Sequence, residues 1–532
     1  MNTLSDKLHQ RINSHYAIEY NNVIELLDHR TSSNPNQIFL ISPDAEIGKF
    51  TYQEFHDLTL LASSYLVNLG FQKGNRINLI IPNSIEFLIL YFASFRIGLT
   101  VVPINQDLST EEIVFIIKNC NSKGVFIDSC YFFKIENKIN ELNPIRIFNI
   151  DKLPNFEPVQ NSNQLLPNCH STSSVFDEAL IIYTSGTTGN PKGVVLSHLN
   201  LLSDAKAIKE WFNFNENTRT LCILPLFHNN GQVVTLFAPL FAGGSTVIVK
   251  GKSSLMSFWG LIRDYQVTWT SVMPSILSIL MSLNIKRSDQ TLRGIICGGQ
   301  VLKPAVQESF ESRFNVPVFE GFGLTETTSF ACFNKFPEGN RKKGSVGPPL
   351  SVNEIKIIDD NDNDVDAMVE GEICIRGFNV AIEYLGLSKK NNISFRKGWF
   401  HSGDYGYKDH EGWLFFKERK DNLIIKGGEN IYPAELENTL YQHPEVAECA
   451  VIGIPSNLLG EEICAFVRLK ENSMATEKSL KQFCLDKIAS FKLPKRILIL
   501  NYMIDLPEIP KGPTQKILYN KLKEYYLTKI KG

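Results

Sequence analysis

The stretch RINLIIPNSIEFLILYFASFRIGLTVVPIN, residues 76–105, contains one complete strand–helix–strand unit. Its first segment, Arg-Ile-Asn-Leu-Ile-Ile at residues 76–81, is short and mostly apolar and predicts a buried strand. Pro82-Asn83 then predicts a turn, and apolar side chains return at helical spacing at Ile85, Leu88, Ile89, Phe92 and Phe95. Because strands joined through a helix run parallel, the stretch predicts an α/β fold with a parallel sheet.

Sequence signals for a helix start and a helix end flank this predicted helix. Asn83, with Glu86 three residues later, predicts a capping box at the N-terminus of the helix. Gly98 predicts the C-terminus, before the next strand begins at Val101-Val102. The same alternation recurs later in the chain, with strands predicted at 246–249, 267–270 and 294–297 and helices at 255–264 and 274–283.

Length and composition indicate a globular protein of more than one domain. The chain has 532 residues, of which 43% are apolar and 21% charged, enough to build large hydrophobic cores. Its 54 basic and 56 acidic residues leave a formal net charge of −2. No global electrostatic attraction toward nucleic acid or an anionic membrane is therefore expected.

The N-terminal sequence and the cysteines predict a cytoplasmic location. The first residues, MNTLSDKLHQRINSHY, lack the apolar segment of a secretory signal, and no run of uncharged apolar residues is long enough to span a bilayer. The ten cysteines are scattered, without a CxxC pair or a spacing typical of metal ligands. We expect reduced, mostly buried thiols.

Three later segments of the chain depart from this alternation of strands and helices. Residues 151–177, rich in Asn, Pro and Ser, predict a surface connection. Between about 344 and 420, short strands at 354–358, 371–375 and 412–416 predict a small β unit on the larger body. Beyond residue 420, a compact α+β domain is predicted from a helix at 434–442, strands at 446–453 and 462–469, and a helix at 477–489. The predicted domains are residues 1–420 and 421–532.

The loop YTSGTTGNPKG, residues 183–193, lies between two apolar runs that predict strands. Gly, Ser and Thr bring backbone N–H groups and hydroxyls close to phosphate oxygens, and Lys192 adds a positive charge. The loop is not a Walker A motif, because Pro191 stands where that motif requires Gly. It is therefore a candidate phosphate cradle of another type.

This loop resembles the phosphate-binding signature of the acyl-adenylate-forming superfamily, which includes acyl-CoA synthetases, firefly luciferases and nonribosomal-peptide adenylation domains. Further segments resemble that family's motifs in the same order and over most of the chain. They are PLFHNNG at 225–231, GFGLTE at 321–326, WFHSGD at 399–404, ERKD at 418–421, GGENIYP at 427–433 and PKGPTQK at 510–516. The chain departs from the family's pattern at Phe322, where Tyr is usual, and at Gln515, where Gly is usual.

The resemblance implies an ATP site. Phe322 is expected to stack on adenine, Thr325 to donate to the α-phosphate, and Glu326 to bind Mg²⁺ between the phosphates. Asp404 and Arg419 are expected on the ribose hydroxyls, although without the resemblance they predict only an exposed charge pair. The implied phosphate-binding residues are Thr184, Ser185, Gly186, Thr187, Thr188, Gly189 and Lys192.

The resemblance also implies an acid pocket. His228 is expected to border the acyl carboxylate or to gate thiol entry, with a purely structural histidine as the alternative. Amino-acid-activating members have Asp at this place, so an α-amino acid substrate is disfavoured. The implied pocket residues are Phe227, His228, Asn229, Gly298, Gly299, Gln300 and Phe330, a mixed set that suits a medium-chain or aromatic acid.

Lys516 is the residue implied for the first chemical step, because one mobile ammonium can stabilise negative charge on both the attacking carboxylate and the departing pyrophosphate. Asp421 matches the hinge about which the small C-terminal domain of the family rotates. One orientation delivers Lys516, and the other presents the loop of Lys426, Gly427 and Gly428 to a thiol acceptor.

The implied function is an ATP-dependent carboxylic acid:CoA ligase that forms acyl-AMP and pyrophosphate, then acyl-CoA and AMP, with ATP, Mg²⁺ and CoA. Transfer to the phosphopantetheine of a carrier protein is the alternative within the family. A nucleotide-binding protein of weak catalytic power, suggested by Gln515, is the alternative of another class. The identity of the acid, the pathway and the oligomeric state cannot be read from the sequence.

Overall fold

The computed structural model describes residues 17–45, 48–152, 173–184, 191–288, 290–334, 341–427, 429–456, 458–485, 487–512 and 517–530. The chain divides into two compact units, the larger formed by residues 1–356 with 374–401 and the smaller by residues 357–373 with 402–532. The predicted boundary after residue 420 stays a prediction. The predicted connection at 151–177 lies largely outside the described residues.

The first sheet of the larger unit is mainly parallel, with an antiparallel strand at each edge. Its strands lie in the order Cys332–Phe333, Val318–Phe322, Gly294–Cys297, Trp269–Val272, Arg219–Cys222, Ser245–Ile248, Ile38–Ile41 and Lys49–Thr51. Parallel strands end at the same edge of a sheet. The loops that follow residues 222, 297 and 322 therefore share one edge, where α/β proteins place their ligands.

The second sheet contains the strand–helix–strand unit predicted from residues 76–105. Its strands lie in the order Glu383–Tyr384, Lys192–Ser197, Glu178–Thr184, Thr100–Pro103, Arg76–Ile80, Gly124–Ile127 and Arg146–Asn149. Arg76–Ile80 and Thr100–Pro103 pair in parallel, as predicted. The candidate phosphate loop connects Glu178–Thr184 to Lys192–Ser197, which pair antiparallel with Thr184 opposite Lys192.

The helix Ile85–Arg96 is buried around its whole circumference. Every one of its residues except Glu86 is buried, as expected for a helix that is apolar on all sides. A continuous hydrophobic core contains its side chains together with residues of both sheets, such as Phe319 in the first and Leu79 in the second. This helix therefore helps to fix the two sheets of the larger unit in one core.

The predicted capping box at Asn83 is wrong. Ser84 is the N-cap, and its hydroxyl accepts a hydrogen bond from the backbone N–H three residues later. Asn83 makes tertiary hydrogen bonds instead: its amide donates to the Leu224 carbonyl at 2.9 Å, and its Oδ1 accepts from the Leu226 backbone N–H at 2.7 Å. These bonds hold the segment that leads into the PLFHNNG motif.

Other predicted elements are confirmed with shifted ends. The strand predicted at 294–297 is found as Gly294–Cys297, and the strand predicted at 267–270 is Trp269–Val272. The helix predicted at 255–264 begins only at Phe258, after a 3₁₀ turn over Gly251–Ser257. A further sheet has the order Asn353–Ile358, Gly371–Gly377, Phe400–Lys408 and Leu414–Arg419, so its last strand begins two residues later than predicted.

The smaller unit contains the predicted α+β arrangement. Val446–Ser456 and Gly460–Leu469 form a long antiparallel pair, and Arg496–Ile499 pairs in parallel with Gly460–Leu469. Ile424–Lys426 pairs antiparallel with Gly460–Leu469 at Gly460 and with Glu429–Ile431. Leu436 and Leu480, from the helices Pro433–Tyr441 and Glu477–Leu485, pack in the same core as strand residues. The predicted fold class, a large α/β domain followed by a small α+β domain, is confirmed.

The described residues contain further helices. They are Val23–Ser33, Tyr52–Asn68, Thr110–Asn119, Phe133–Glu136, Ile139–Leu142, His198–Trp211, Asn229–Gln232, Val233–Phe237, Ala238–Ala242, Pro274–Ser282, Pro304–Phe314, Ser388–Ser394, Tyr519–Tyr525 and Tyr526–Ile530, and Phe258–Asp264 completes the set. None of the helices in the described ranges is long and apolar enough to cross a membrane.

The cysteines of the described residues are free thiols. Cys130, in a short turn after the strand Gly124–Ile127, is exposed, whereas the other described cysteines are buried. Cys169 lies outside the described residues. The expectation of reduced, mostly buried cysteines holds for the part of the chain that the structure describes.

Candidate active site

The GFGLTE motif leaves the first sheet at the C-terminal end of Val318–Phe322. Phe322 is 8% exposed and pairs with Cys332 across the sheet edge. At Gly323, a Cβ atom would lie 1.9 Å from the carbonyl oxygen of Ser329, so no other residue fits without moving backbone. This clearance lets the chain fold back tightly, and the turn Thr325–Thr327 begins two residues later.

Thr328 closes that turn in a conformation that β-branched residues rarely adopt, with φ of 64°. Its hydroxyl donates to the Asn379 carbonyl at 2.6 Å, and the Asn229 amide donates to its carbonyl oxygen. Such strain persists only where surrounding contacts determine it, and it concentrates at functional sites. The contacts with Asn229 and Asn379 therefore fix the loop that carries Thr325 and Glu326.

A buried hydrogen-bond network of Asp204, Asn379 and Phe330 adjoins the same loop. The Asn379 amide donates to Asp204 Oδ1 at 3.1 Å and to the Phe330 carbonyl at 2.9 Å, and the Phe330 N–H donates to Asp204 Oδ2 at 3.4 Å. Complete burial raises the pKa of Asp204 well above its ordinary value, which favours the neutral form. The sequence analysis missed Asp204 and Asn379.

Glu326 is a buried carboxylate, 7% exposed, and one of its oxygens is held by a tyrosine. The Tyr384 hydroxyl donates to Glu326 Oε1 at 2.7 Å, and the Ala381 N–H donates to the Glu326 carbonyl at 2.8 Å. Tyr384 belongs to the strand Glu383–Tyr384 of the second sheet, whereas Glu326 follows a strand of the first. The sequence analysis missed Tyr384, because its strand has only two residues and gives no periodic signal.

The hairpin that carries the phosphate loop meets this group. Lys192 Nζ lies 4.7 Å from the centroid of the Tyr384 ring. The hydroxyl oxygen of Thr184, opposite Lys192 in the hairpin, is buried and has no hydrogen-bond partner within the described parts of the chain. Ser185, Gly186, Thr187, Thr188 and Gly189 lie outside the described residues.

The predicted acid-pocket residues follow two strands of the first sheet. Phe227, His228 and Asn229 come after Arg219–Cys222, and the rings of Phe227 and His228 lie 4.7 Å apart between centroids. Asn229 is 5% exposed, and its Oδ1 is buried without a hydrogen-bond partner among the described residues. His228 precedes the helix Asn229–Gln232 as its N-cap residue.

Gly298, Gly299 and Gln300 follow the strand Gly294–Cys297, with Gly298 buried, Gly299 exposed and Gln300 half-buried. A Cβ on Gly298 would lie 2.4 Å from the Phe330 ring, which is itself 2% exposed. Phe330 also packs against Phe333 with 4.3 Å between ring centroids. These contacts are those of a core residue, and a role for Phe330 in the acid pocket stays a prediction.

Glu320 is a second buried carboxylate at this edge, one that the sequence analysis did not select. Its Oε1 accepts a hydrogen bond from the Leu302 backbone N–H at 3.0 Å, which ties down the segment after Gln300. Burial raises the pKa of Glu320 to about 8. The register places Glu320 opposite Cys297, and burial also raises the pKa of that thiol well above its usual range.

Asp404 and Arg419 lie together in the smaller unit. They face each other across antiparallel strands, and Arg419 Nε is 3.2 Å from Asp404 Oδ1. The Asp404 side chain is 4% exposed and that of Arg419 48%. Gly403, with φ of 71°, donates its N–H to Glu372 at 3.0 Å. A buried carboxylate beside a half-exposed guanidinium thus replaces the fully exposed pair that the residues alone would predict.

The remaining predicted residues belong to the smaller unit or lie outside the described residues. Asp421 falls within the short turn Lys420–Asn422. Lys426 Nζ is 3.1 Å from Glu462 Oε2, and Gly427 has φ of 60°. Gly428, Gln515 and Lys516 are not among the described residues.

Two family profiles of known proteins match this chain. The profile of the AMP-binding enzyme family matches residues 27–385, and that of the AMP-binding enzyme C-terminal domain matches residues 435–512. The chain belongs to the AMP-binding enzyme family. This membership confirms the resemblance inferred from the motifs.

Individual AMP-binding enzymes resemble the chain over nearly its whole length. It is 33% identical to an oxalate–CoA ligase of Arabidopsis thaliana, covering 91% of this chain and 95% of that protein. It is 29% identical to a long-chain-fatty-acid–CoA ligase of Mycobacterium tuberculosis, covering 95% and 98%. The structure of o-succinylbenzoate CoA synthetase from Bacillus subtilis with its acyl-adenylate intermediate superposes with a TM-score of 0.83 at 29% identity, covering 95% and 99%.

The predicted reaction class, an AMP-forming acid–thiol ligase that uses ATP, Mg²⁺ and CoA, is thereby confirmed. The residues of this AMP-binding enzyme also fit those groups. The buried Thr184 hydroxyl lacks a partner in the described chain, as a phosphate-binding group would before nucleotide arrives. Among described residues, no cluster of three or more His, Cys, Asp or Glu could hold a metal alone. Glu326 with ATP phosphates matches the way Mg²⁺ is usually bound.

Proposed function

We propose that this AMP-binding enzyme activates a medium-chain fatty or aryl carboxylic acid as its acyl-AMP and transfers the acyl group to CoA. The observation that carries the proposal is the group of Glu326, Tyr384 and Lys192. Within one unit it unites a buried carboxylate suited to Mg²⁺ and an ammonium suited to phosphate.

Each nucleotide-binding residue has a physical role in this proposal. Phe322 offers a ring face to adenine, and Thr325 donates to the α-phosphate. Thr184, Lys192 and the loop 185–189 hold the other phosphates. Bound Mg²⁺ would neutralise phosphate charge, and Glu326 would hold it. The Asp404 carboxylate, kept in place by Arg419, accepts hydrogen bonds from the ribose hydroxyls.

Lys516 acts on the first chemical step. When the acid carboxylate attacks the α-phosphorus, negative charge builds on the entering oxygen and on the leaving pyrophosphate. A single ammonium close to both stabilises that charge. Gln515 stands where the family usually has Gly, and a residue with a Cβ has fewer allowed backbone conformations than Gly.

The two domains, residues 1–420 and 421–532, rotate about Asp421 between the two half-reactions. The first orientation brings Lys516 to the acid and the α-phosphate. The second brings the loop of Lys426, Gly427 and Gly428 to the CoA thiol. Such gating separates two reactions that need different groups at one acyl centre.

The acid would lie between the loops after residues 222 and 297, beside Phe227, His228 and Asn229. Relatives named for acids as different as oxalate, a long-chain fatty acid and o-succinylbenzoate show that similarity at this level does not define the acid. Phe227 supplies an apolar wall, and His228 and Asn229 supply polar edges. This combination favours an aryl or medium-chain acid over a very long chain.

We also propose a cytoplasmic location. Free thiols throughout the described chain suit a reducing compartment. Transfer to a carrier-protein phosphopantetheine is the second candidate, because the same acyl-AMP reacts with either thiol.

The test is pyrophosphate release from ATP by the purified protein with short, medium-chain, long-chain, dicarboxylic and aryl acids, each with and without CoA. We expect one medium-chain or aryl acid to give turnover that requires free CoA. A stoichiometric burst that becomes turnover only with a pantetheinylated carrier protein would establish the second candidate instead. Absence of even a burst with every acid would contradict both and favour a nucleotide-binding protein.

A further inference from the structure

Tyr384 is held in place by backbone contacts on both sides. Its strand pairs antiparallel with Lys192–Ser197, with Tyr384 opposite Val194. The Asn391 side chain accepts from the Tyr384 N–H at 2.8 Å and donates to the Tyr384 carbonyl at 2.9 Å. The Tyr384 side chain is 3% exposed and packs against Phe395 with 5.5 Å between ring centroids. The ring therefore has little freedom to move.

The Tyr384 hydroxyl touches the one carboxylate proposed for the metal. It donates to Glu326 Oε1 at 2.7 Å, and Oε2 accepts no hydrogen bond from the described residues. A buried carboxylate on a rotatable side chain can adopt several orientations, and a charge-assisted hydrogen bond selects one of them. The bond thus fixes one oxygen and leaves the other available to a cation.

The face of the same ring interacts with the cation proposed for the phosphates. Lys192 Nζ lies 4.7 Å from the ring centroid, within the range of an attractive cation–π contact. One aromatic side chain therefore orients both the Lys192 ammonium and the Glu326 carboxylate. Resting on the function proposed above, we propose that Tyr384 is a positioning residue that prepares Glu326 and Lys192 for MgATP.

The two contacts have separable consequences. Removing the hydroxyl frees the Glu326 carboxylate, and this weakens binding of the metal-bound nucleotide. The aromatic face remains in Tyr384→Phe, so the contact with Lys192 and the affinity for metal-free ATP are retained. A charge-assisted hydrogen bond of this type corresponds to a loss of about tenfold or more in affinity.

The experiment is calorimetric titration of the full-length protein with ATP, in excess Mg²⁺ and in excess EDTA. The variants are Tyr384→Phe and the matched control Tyr52→Phe. Tyr52 is also fully buried, and its hydroxyl donates to the Gly244 carbonyl at 2.7 Å away from the proposed site. We expect Tyr384→Phe to weaken MgATP binding about tenfold with little change for metal-free ATP, and Tyr52→Phe to change neither.

Equal MgATP affinity in Tyr384→Phe and wild type would overturn the proposal. So would a loss of the same size with and without Mg²⁺, because a merely structural defect affects both nucleotide forms. Glu326→Gln should reproduce the Mg²⁺-specific loss. Failure of the wild type to turn over any acid would contradict the proposed function but not this inference, which depends only on nucleotide binding.

Discussion

At the scale of single residues, Thr184 carries a hydroxyl that the described protein leaves unsatisfied. Such a group destabilises the protein by about 1–3 kcal/mol, and at the proposed phosphate site it would regain a hydrogen bond by donating to a phosphate oxygen. Thr184→Val keeps the shape and removes the hydroxyl. We expect the free energy of unfolding without nucleotide to stay constant or rise by about 1 kcal/mol, and ATP affinity to fall about tenfold.

Chemical denaturation and calorimetric titration check both expectations. Thr246→Val is the matched control, since the Thr246 hydroxyl donates to the Thr235 carbonyl at 2.7 Å in a buried strand. That variant should lose stability and keep its ATP affinity. A Thr184→Val variant that is clearly less stable yet binds ATP normally would assign Thr184 to the fold alone.

Asn229, in the proposed acid pocket, also has an unpaired polar atom. Its Oδ1 is a buried acceptor without a partner in the described residues. If it faces the acid as we propose, aryl acids with a ring hydroxyl or amine should be used better than benzoate. A site with an unpaired polar group discriminates strongly against a substrate that lacks the matching group.

Steady-state pyrophosphate release with the ortho, meta and para isomers of hydroxybenzoate and aminobenzoate measures this preference. We expect kcat/KM for one isomer to exceed that for benzoate at least about tenfold. If benzoate equals or exceeds every isomer, Asn229 Oδ1 does not contact the acid.

Residues that belong to a motif can be selected from the sequence, whereas residues defined by distant contacts cannot. Glu326 and Lys192 were identified from local segments, and the structure brings both to Tyr384. Tyr384 is 58 residues from Glu326 in the chain, and Asn379 is 175 residues from Asp204. No local pattern records such contacts, because they arise from the packing of separate sheets and helices.

At the scale of elements, the strand Val318–Phe322 contains a carboxyl group, that of Glu320, whose titration should change the free energy of unfolding. The pKa of Glu320 is about 8 in the folded protein, against an ordinary value of 4.5. Between these values the folded protein holds a proton that the unfolded chain releases, so stability falls as pH rises from about 4.5 to about 8. Above the folded pKa both states are ionised and this contribution is constant.

Glu320→Gln removes this pH dependence while keeping an acceptor for the Leu302 N–H. Relative to wild type, the variant should gain up to about 1.4 kcal/mol in free energy of unfolding per pH unit over that interval. Urea denaturation from about pH 5 to about pH 8 measures the difference. Parallel curves for Glu320→Gln and wild type would show that Glu320 is ionised when folded.

Element types were more predictable than element ends. Apolar periodicity identified Ile85–Arg96 and Gly294–Cys297, because burial determines both. The capping box failed because Asn83 bonds to backbone groups of Leu224 and Leu226, in the segment after the strand Arg219–Cys222, instead of to its own helix. The strand Glu383–Tyr384 has only two residues, which is too short for any periodic signal.

At the scale of the whole molecule, the proposed rotation predicts that the two half-reactions can be separated. Lys516→Ala should lower acyl-AMP formation by a factor of about a hundred or more, since electrostatic stabilisation of the transition state is lost. The same variant should convert supplied acyl-AMP and CoA to acyl-CoA at close to the wild-type rate. Single-turnover assays of each half-reaction measure both rates.

Lys521→Ala is the control, because Lys521 belongs to the helix Tyr519–Tyr525 and has no proposed role in catalysis. It should leave both half-reactions unchanged. If Lys516→Ala lowers the rates of both half-reactions equally, the proposal that each orientation serves a different half-reaction is wrong.

The exposure pattern of the thiols makes such a motion measurable by fluorescence. Cys130 is the exposed thiol of the described chain, so with Cys169 replaced by Ser a maleimide dye would attach mainly there. Its hydrogen bond to Asp128 raises the pKa of the Cys130 thiol, and coupling is therefore faster somewhat above neutral pH. With an acceptor dye on a cysteine introduced into residues 421–532, energy transfer during turnover would report each exchange of orientation without removing a native core residue.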